Sequence, residues 1–321
     1  MTKSLFKKRT AYKPFWYPWA YDAFVAHEQM HWLAREVPLT DDVKDWKKNL
    51  TDAEKALLTQ IFRFFTQADC DVANAYIDTY MPLFKPVEIR MVLASIAARE
   101  GVHIQAYSML IDEVGIPEAE YGAFMDYEVM RNKHEYLFQE REGMGGLARN
   151  IAVFSAFAEG MQLFSSFVIL LNFTRFGKMK GMGQIIAWSI RDESLHVDTM
   201  MKLYHELRAE HPEIVTLELE VSLKKIAEDM VELEDKFIDL AYAEGGIEGL
   251  KAEEVKQYIR YTANRRLNQL GYTGIYDVKK NPLPWVDVIV NGKEHTNFFE
   301  NKATDYSKGA VEGDWNEAFG D

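Results

Sequence analysis

Glu-x-x-His occurs three times in the 321 residues: Glu28 with His31, Glu100 with His103, and Glu193 with His196. With 30 glutamates and 8 histidines in the chain, roughly 0.7 such spacings are expected by chance, so the surroundings must decide. On a helix, a three-residue step leaves Glu100 and His103 about 60° apart on one face. Tyr107, seven residues from Glu100, returns to within about 20° of it. A carboxylate, an imidazole and a phenol thus share one stripe of a segment that is otherwise largely apolar. Glu193 and His196 repeat the first two. Glu159, and a carboxylate from the segment 51 to 80, would complete a set of four carboxylates and two imidazoles. Helical bundles hold two iron or two manganese ions in this way, with single carboxylates from two helices and Glu-x-x-His from two others. The oxygen-rich set suits iron or manganese better than zinc. Any one of these histidines taken alone is as well read as a hydrogen-bonded core or surface residue.

His27-Glu28-Gln29-Met30-His31 matches the HExxH zinc-protease pattern, in which two histidines share a metal and the glutamate acts as base. Such a site also needs a third ligand shortly downstream and usually a sheet edge for substrate; Glu36 and Glu54 are available carboxylates, but nothing else fits. HEQMH is therefore read as a polar helix face or a subunit contact. The glycines of GKMKGMG, Gly177 to Gly183, follow a helix rather than a strand, and mark a helix–helix turn rather than a dinucleotide loop.

These groups need long helices to hold them. The nine prolines leave 118 to 211 and 213 to 281 uninterrupted, and helix interiors exclude proline. Apolar residues recur there at three- and four-residue steps. The pattern predicts helices near 19 to 36, 51 to 80, 86 to 114, 117 to 141, 146 to 175, 182 to 210, 213 to 243 and 250 to 269. Thr51 and Glu54 have the spacing of a capping box. Residues 151 to 173 are apolar nearly all round, which means either a membrane span or a central buried helix. Glu159, Gln162 and Asn172 within it favour the buried helix. A carboxylate there needs a partner, because burying it alone costs several kcal/mol or more, and metal coordination is one way to hold it ionised.

After about residue 271 the composition shifts to Gly, Pro, Asn and aromatics. VDVIV-NG-KEHTNF predicts a short hairpin over 286 to 297 around an Asn-Gly turn. The acidic remainder reads either as a frayed terminus or as a peptide that orders on a partner. The formal charge of −13, from 50 Asp and Glu against 37 Lys and Arg, argues against nucleic acid or an anionic membrane as partner. A single cysteine, Cys70, excludes an internal disulfide and fits a reducing cytoplasm. The N-terminal segment lacks the apolar run of a signal peptide.

FTQADCDV, AAREGVHIQAY, FAEGMQLFSSF, IRDESLHVDTM and NFFENKATDYS occur in this order. Together they resemble the small, radical-generating subunit of class I ribonucleotide reductase over nearly the whole chain. The resemblance implies an all-α, ferritin-like di-metal carboxylate bundle with extra helices, over 1–270. It also implies a C-terminal hairpin and flexible tail over 271–321, ending in DWNEAFGD, which docks on the large subunit. It implies a homodimer, and two iron or two manganese ions. Asp69, Glu100 and His103 would bind one metal, and Glu159, Glu193 and His196 the other. The spacings of 31 residues from Asp69 to Glu100 and 34 from Glu159 to Glu193 match the family. Asp71, the rival to Asp69, lies about 200° round the helix. Tyr107 matches the radical tyrosine, with Leu163 and Phe167 as part of its surround. Ser189 departs from the apolar residue usual in the family, which leaves open whether the oxidant rests on Tyr107 or on the metals. Trp32 matches the relay tryptophan, Asp192 the carboxylate joining it to His103, and Tyr306 the tyrosine of the tail. Thiol chemistry then falls to the large subunit, and Cys70 is a packing residue. The competing reading is another di-metal protein, a ligand-binding oxidase or a ferritin-like store, neither of which needs an electron relay.

Overall fold

The computed structural model describes residues 3–288, and the chain divides into two units, Met1–Pro282 and Leu283–Asp321. The long helices all belong to the first. They are α1 (Pro18–Gln29), α2 (Thr40–Lys48), α3 (Asp52–Asn74), α4 (Val87–Val114), α5 (Glu128–Leu137), α6 (Gly143–Arg175), α7 (Lys180–Glu210), α8 (Leu217–Ala241) and α9 (Ala252–Gln269). Among the described residues there is no strand, only an isolated bridge between Ile247 and Leu250. The fold is all-α, as the periodicity predicts.

Local chemistry sets the helix ends. Thr51 Oγ1 accepts the Glu54 N–H at 3.2 Å while Glu54 Oε2 accepts the Thr51 N–H at 2.9 Å, so α3 starts with the expected capping box. Helix α4 stops at Gly115, whose φ of +80° lets its N–H turn back to the carbonyls of Ile111 and Asp112. The first helix is shorter than the 19 to 36 expected. Arg99 and Arg191 take the carbonyls of His27 and Met30 at 2.7–3.3 Å, satisfying the end of α1 before the chain turns away. The window 117 to 141 likewise holds only α5 as a regular helix, preceded by short turns at Ala119–Gly122 and Ala123–Asp126.

Helix α3 lies along α4, α1 crosses α4, and α6 packs against α7, α8 and α9. Residues 151 to 173 are buried throughout, and 94% of the most apolar window of α6 lies inside the fold. A helix long and apolar enough to cross a membrane is here the core. Its polar groups are answered internally: Gln162 donates to the Met230 carbonyl at 2.9 Å, Asn172 to Glu248 at 2.7 Å, and Arg266 to Gly160 at 2.7 Å. Two stretches depart from α geometry. Ala75–Tyr80, continuing α3, and Ala152–Gln162, inside α6, are π-helical, with the wider turn that often marks a functional site.

The hairpin expectation fails where it can be checked. Residues 284–288 are helical, because Pro284 presets the φ of a first helical turn. The rest of that hairpin, and the tail with Tyr306, lie outside the described residues.

Helix α2, absent from the predicted set, has a definite task. Its buried Asp42 accepts the N–H groups of Gly181 and Met182 at 2.9 and 2.8 Å, and Asp45 accepts that of Met179 at 2.7 Å. Two carboxylates thus cap the N-terminus of α7, where the helix dipole favours negative charge. Gly181 is required for the approach, since a Cβ there would sit 2.7 Å from Asp42 Oδ2 and from the Pro38 carbonyl. Asp42→Ala should cost about 2 kcal/mol, read as a lower urea midpoint of the metal-free protein. Asp42→Asn, which keeps one acceptor, should cost less.

Candidate metal centre

Four helices each bring polar groups to one buried place. Asp69 comes from α3, Glu100 and His103 from α4, Glu159 from the π-helical part of α6, and Glu193 and His196 from α7. All six are at most 2% exposed. Ligand atoms of Glu100, Glu159, Glu193 and His196 lie within 4.8 Å of one another. His103 joins them, its Nδ1 3.3 Å from Glu100 Oε2 and 3.2 Å from Glu193 Oε1. His196 Nδ1 lies 3.1 Å from Glu100 Oε1, 3.4 Å from Glu193 Oε2 and 3.6 Å from Glu159 Oε1. Glu100 and Glu193 therefore each turn one oxygen toward either imidazole, and the charge of Asp69 acts on the same cluster.

These contacts are close, yet the atoms converge with lone pairs rather than as aligned donors and acceptors. Asp69 Oδ2, both Glu100 oxygens, Glu193 Oε2 and His196 Nδ1 are buried without a hydrogen-bond partner. Buried polar groups are almost always paired, so five such atoms facing one point call for a cation. Carboxylate oxygens with two imidazole nitrogens are the donors for a hard-to-intermediate divalent metal. The electrostatics agree. Burial, then the charge of Glu100, push the Asp69 carboxyl well up. Burial also raises Glu159, with Glu193 and Glu100 adding repulsion against the pull of His196. Burial opposes ionisation of Glu100 too, but the His103 and His196 imidazoles hold that carboxyl low.

His103 and the nearby Tyr107 are braced from outside. His103 Nε2 lies 3.3 Å from Asp192 Oδ2, which also accepts the Trp32 indole N–H at 2.7 Å. Burial would raise Asp192, but His103 and Trp32 keep it well below the usual carboxylate range. The buried Tyr107 donates its O–H to Ser189 Oγ at 3.0 Å, and burial together with Asp69 pushes its phenol up.

A family model for the ribonucleotide reductase small chain matches residues 9–282. The chain belongs to that family. A relative from Invertebrate iridescent virus 3, named a probable ribonucleoside-diphosphate reductase small subunit, is 47% identical over 97% of this chain and 88% of its own. A second, from Invertebrate iridescent virus 6, is 43% identical over 98% of each. Among solved structures, the ribonucleotide reductase R2 subunit from Clostridium botulinum superposes with a TM-score of 0.80, at 25% identity, over 90% of this chain and 94% of that one. The chain is thus a small subunit of ribonucleoside-diphosphate reductase, an oxidoreductase that works with a large subunit. Its bundle is ferritin-like, and neither a ferritin-like store nor a ligand-binding oxidase is favoured.

Several neighbours of the site carry no sequence signal. Tyr76 donates to Glu159 Oε2 at 2.8 Å from the π turns that follow α3. Trp188 packs on Trp32 with ring centroids 5.1 Å apart, and Phe65 stacks on Tyr107 at 4.6 Å. Leu163 and Phe167 are buried as expected, and Phe167 reaches the tyrosine's surround through Phe65, 5.9 Å away. Asp71 faces elsewhere and pairs with His134 at 2.6 Å. HEQMH is not a polar face. His27 is fully buried with its Nε2 3.1 Å from His196 Nε2, while Glu28 and His31 are exposed. Burial, then the neighbouring His196 and Arg99, push His27 down to about 3. The partner of His27 lies 169 residues away in sequence, beyond what the spacing of the motif could show.

Repulsion within the cluster is testable without activity. In the metal-free protein, Glu159→Gln should raise stability by about 1–2 kcal/mol, because it removes one buried charge. The same change should reduce the rise in Tm that manganese(II) or iron(II) gives the wild type. A variant no more stable than the wild type would mean that the imidazoles already balance the carboxylates.

Proposed function

We propose that this small subunit generates and stores a one-electron oxidant at Tyr107 and passes it, through Asp192 and Trp32, to the large subunit for ribonucleotide reduction. The observation that supports it best is the hydrogen-bonded line from the cluster outward: His103 Nε2 to Asp192 at 3.3 Å, and Asp192 to the Trp32 indole at 2.7 Å. A metal store has no use for such a line.

Asp69, Glu100 and His103 would hold one ion and Glu159, Glu193 and His196 the other, as two iron or two manganese ions. Four carboxylates and two neutral imidazoles balance two divalent charges, so the assembled site is neutral inside a dry core. The bound metals supply the oxidising power, drawn from oxygen chemistry, that no side chain here possesses. The chain's own residues do the rest. Ser189 Oγ fixes the direction of the Tyr107 proton. Phe65 and Phe167, both buried, keep water from the ring. Asp192 orients the His103 ring and accepts the Trp32 N–H, so that movement of an electron through the indole is coupled to a proton on a defined atom.

Beyond the cluster, the reading includes a helical domain over 1–270, a segment 271–321 whose end docks on the large subunit, Tyr306 as the group that carries the oxidant across, a homodimer, and a cytoplasmic location. The family membership and the acidic, aromatic-punctuated tail support these.

After metal loading and exposure to oxygen, electron paramagnetic resonance should show a tyrosyl signal that Tyr107→Phe abolishes together with turnover. A coupled manganese signal and turnover surviving that change would move the oxidant to the metals. Tyr306→Phe should leave the stored oxidant intact and abolish turnover with the large subunit, and unchanged turnover would remove the relay role.

A further inference from the structure

The function above leaves HEQMH unused, yet His27 of that motif is fully buried against the cluster. Its ring meets His196 edge to face, with centroids 5.0 Å apart and planes at 75°, and the two Nε2 atoms are 3.1 Å apart. On its other side, His27 Nδ1 lies 3.0 Å from Ser95 Oγ, and Ser95 Oγ lies 2.9 Å from the Val92 carbonyl. The Arg99 guanidinium holds the His27 carbonyl at 3.1 Å and fixes the backbone that carries the ring.

The bond from the Ser95 hydroxyl to the Val92 carbonyl sets the order of the protons in this line. The Val92 carbonyl can only accept, so Ser95 donates its single proton there and must accept from His27 Nδ1–H. Neutral His27 then carries its lone pair on Nε2 and accepts from His196 Nε2–H. With its proton on Nε2, His196 keeps the Nδ1 lone pair free for an ion bound among the carboxylates, and Nδ1 is one of the buried atoms with no hydrogen-bond partner.

We propose that His27 is a positioning residue for the metal centre: by accepting the His196 Nε2 proton, it holds that ring in the tautomer and orientation in which Nδ1 can ligate. The proposal rests on the reading of the cluster as a two-metal site. His27 does for His196 what Asp192 does for His103, but with a neutral acceptor instead of a charged one. The His196 end is accordingly braced in direction without the extra negative charge that the His103 end receives.

Manganese(II) titration of the metal-free protein, followed by equilibrium binding and paramagnetic resonance, separates the outcomes. Wild type should take up two ions per chain with a coupled signal. His27→Leu removes the acceptor at similar bulk and should weaken one of the two ions by about 10–100-fold, leaving the six-line signal of an isolated ion. His27→Gln places an amide oxygen near the lost nitrogen and should restore the coupled pair. Ser95→Ala frees the His27 tautomer and should weaken the same ion by a smaller factor, and this variant decides the matter if His27→Leu does not fold. Full affinity for both ions in His27→Leu, or in Ser95→Ala where that variant decides, overturns the proposal. Equal loss in His27→Gln and His27→Leu overturns it as well, because it would mean a packing role. A wild type that binds fewer than two ions overturns the two-metal reading itself, and the proposal with it.

Discussion

Four carboxylates share a dry centre in this protein, and much else in the fold answers to that. Like charges at such distances in a low-dielectric interior repel by several kcal/mol per pair. Without a metal, two imidazoles, even if both are protonated, can offset only half of them. The helices that carry the carboxylates must therefore be held from outside the cluster. Helix α6 is held by burial on every side, which explains why a segment with the hydropathy of a membrane span is needed in the middle of the bundle. Helix α7 is held at its start by Asp42 and Asp45. The end of α1 is tied down by Arg99 and Arg191, which also sit beside Asp192.

The bracing is distributed, so that His103, His196, Glu159 and Tyr107 each have a partner from a different part of the chain. His103 and Asp192 join α4 to α7, His196 and His27 join α7 to α1, Glu159 and Tyr76 join α6 to the turns after α3, and Tyr107 and Ser189 again join α4 to α7. The geometry of the cluster is thus a property of the whole bundle rather than of any one helix. Both π-helical stretches contribute to the Glu159 brace. A wider turn shifts the side chains beyond it by a fraction of a turn, and Tyr76 and Glu159 each lie inside such a stretch. The four- and eight-residue steps from Glu159 to Leu163 and Phe167 consequently do not trace an ideal α face, and the ring stacked on Tyr107 is Phe65.

What could be read from the sequence follows from range. Glu100, His103 and Tyr107, or Glu193 and His196, are set by a helical period acting over a few residues, and their common face was legible. So were the buried character of α6 and the capping box at Thr51. The partners of His27, Tyr76 and Trp188 were not, because each contact joins residues that only tertiary packing brings together. The place of His27 was hidden for the same reason: HEQMH reads as a polar face, while the group that gives His27 its place is on α7. Helix α2 was missed because its value lies in capping another helix, and the strand-like run from residue 286 was misread because alternation over a few residues weighed more than Pro284 at its start.

The two ends of the cluster differ in what lies behind them. Behind His103 stands a charged acid, then an indole, then Trp188, which is half-buried and packs on that indole. Behind His196 stands a neutral imidazole, then a hydroxyl, then a backbone carbonyl, where the line stops. An indole can lose an electron, and the carboxylate bonded to its N–H can take up the proton that this loss acidifies. A histidine, a serine and a carbonyl offer no such step. On the reading proposed above, the oxidant would leave through the His103 side, while the line behind His196 serves orientation.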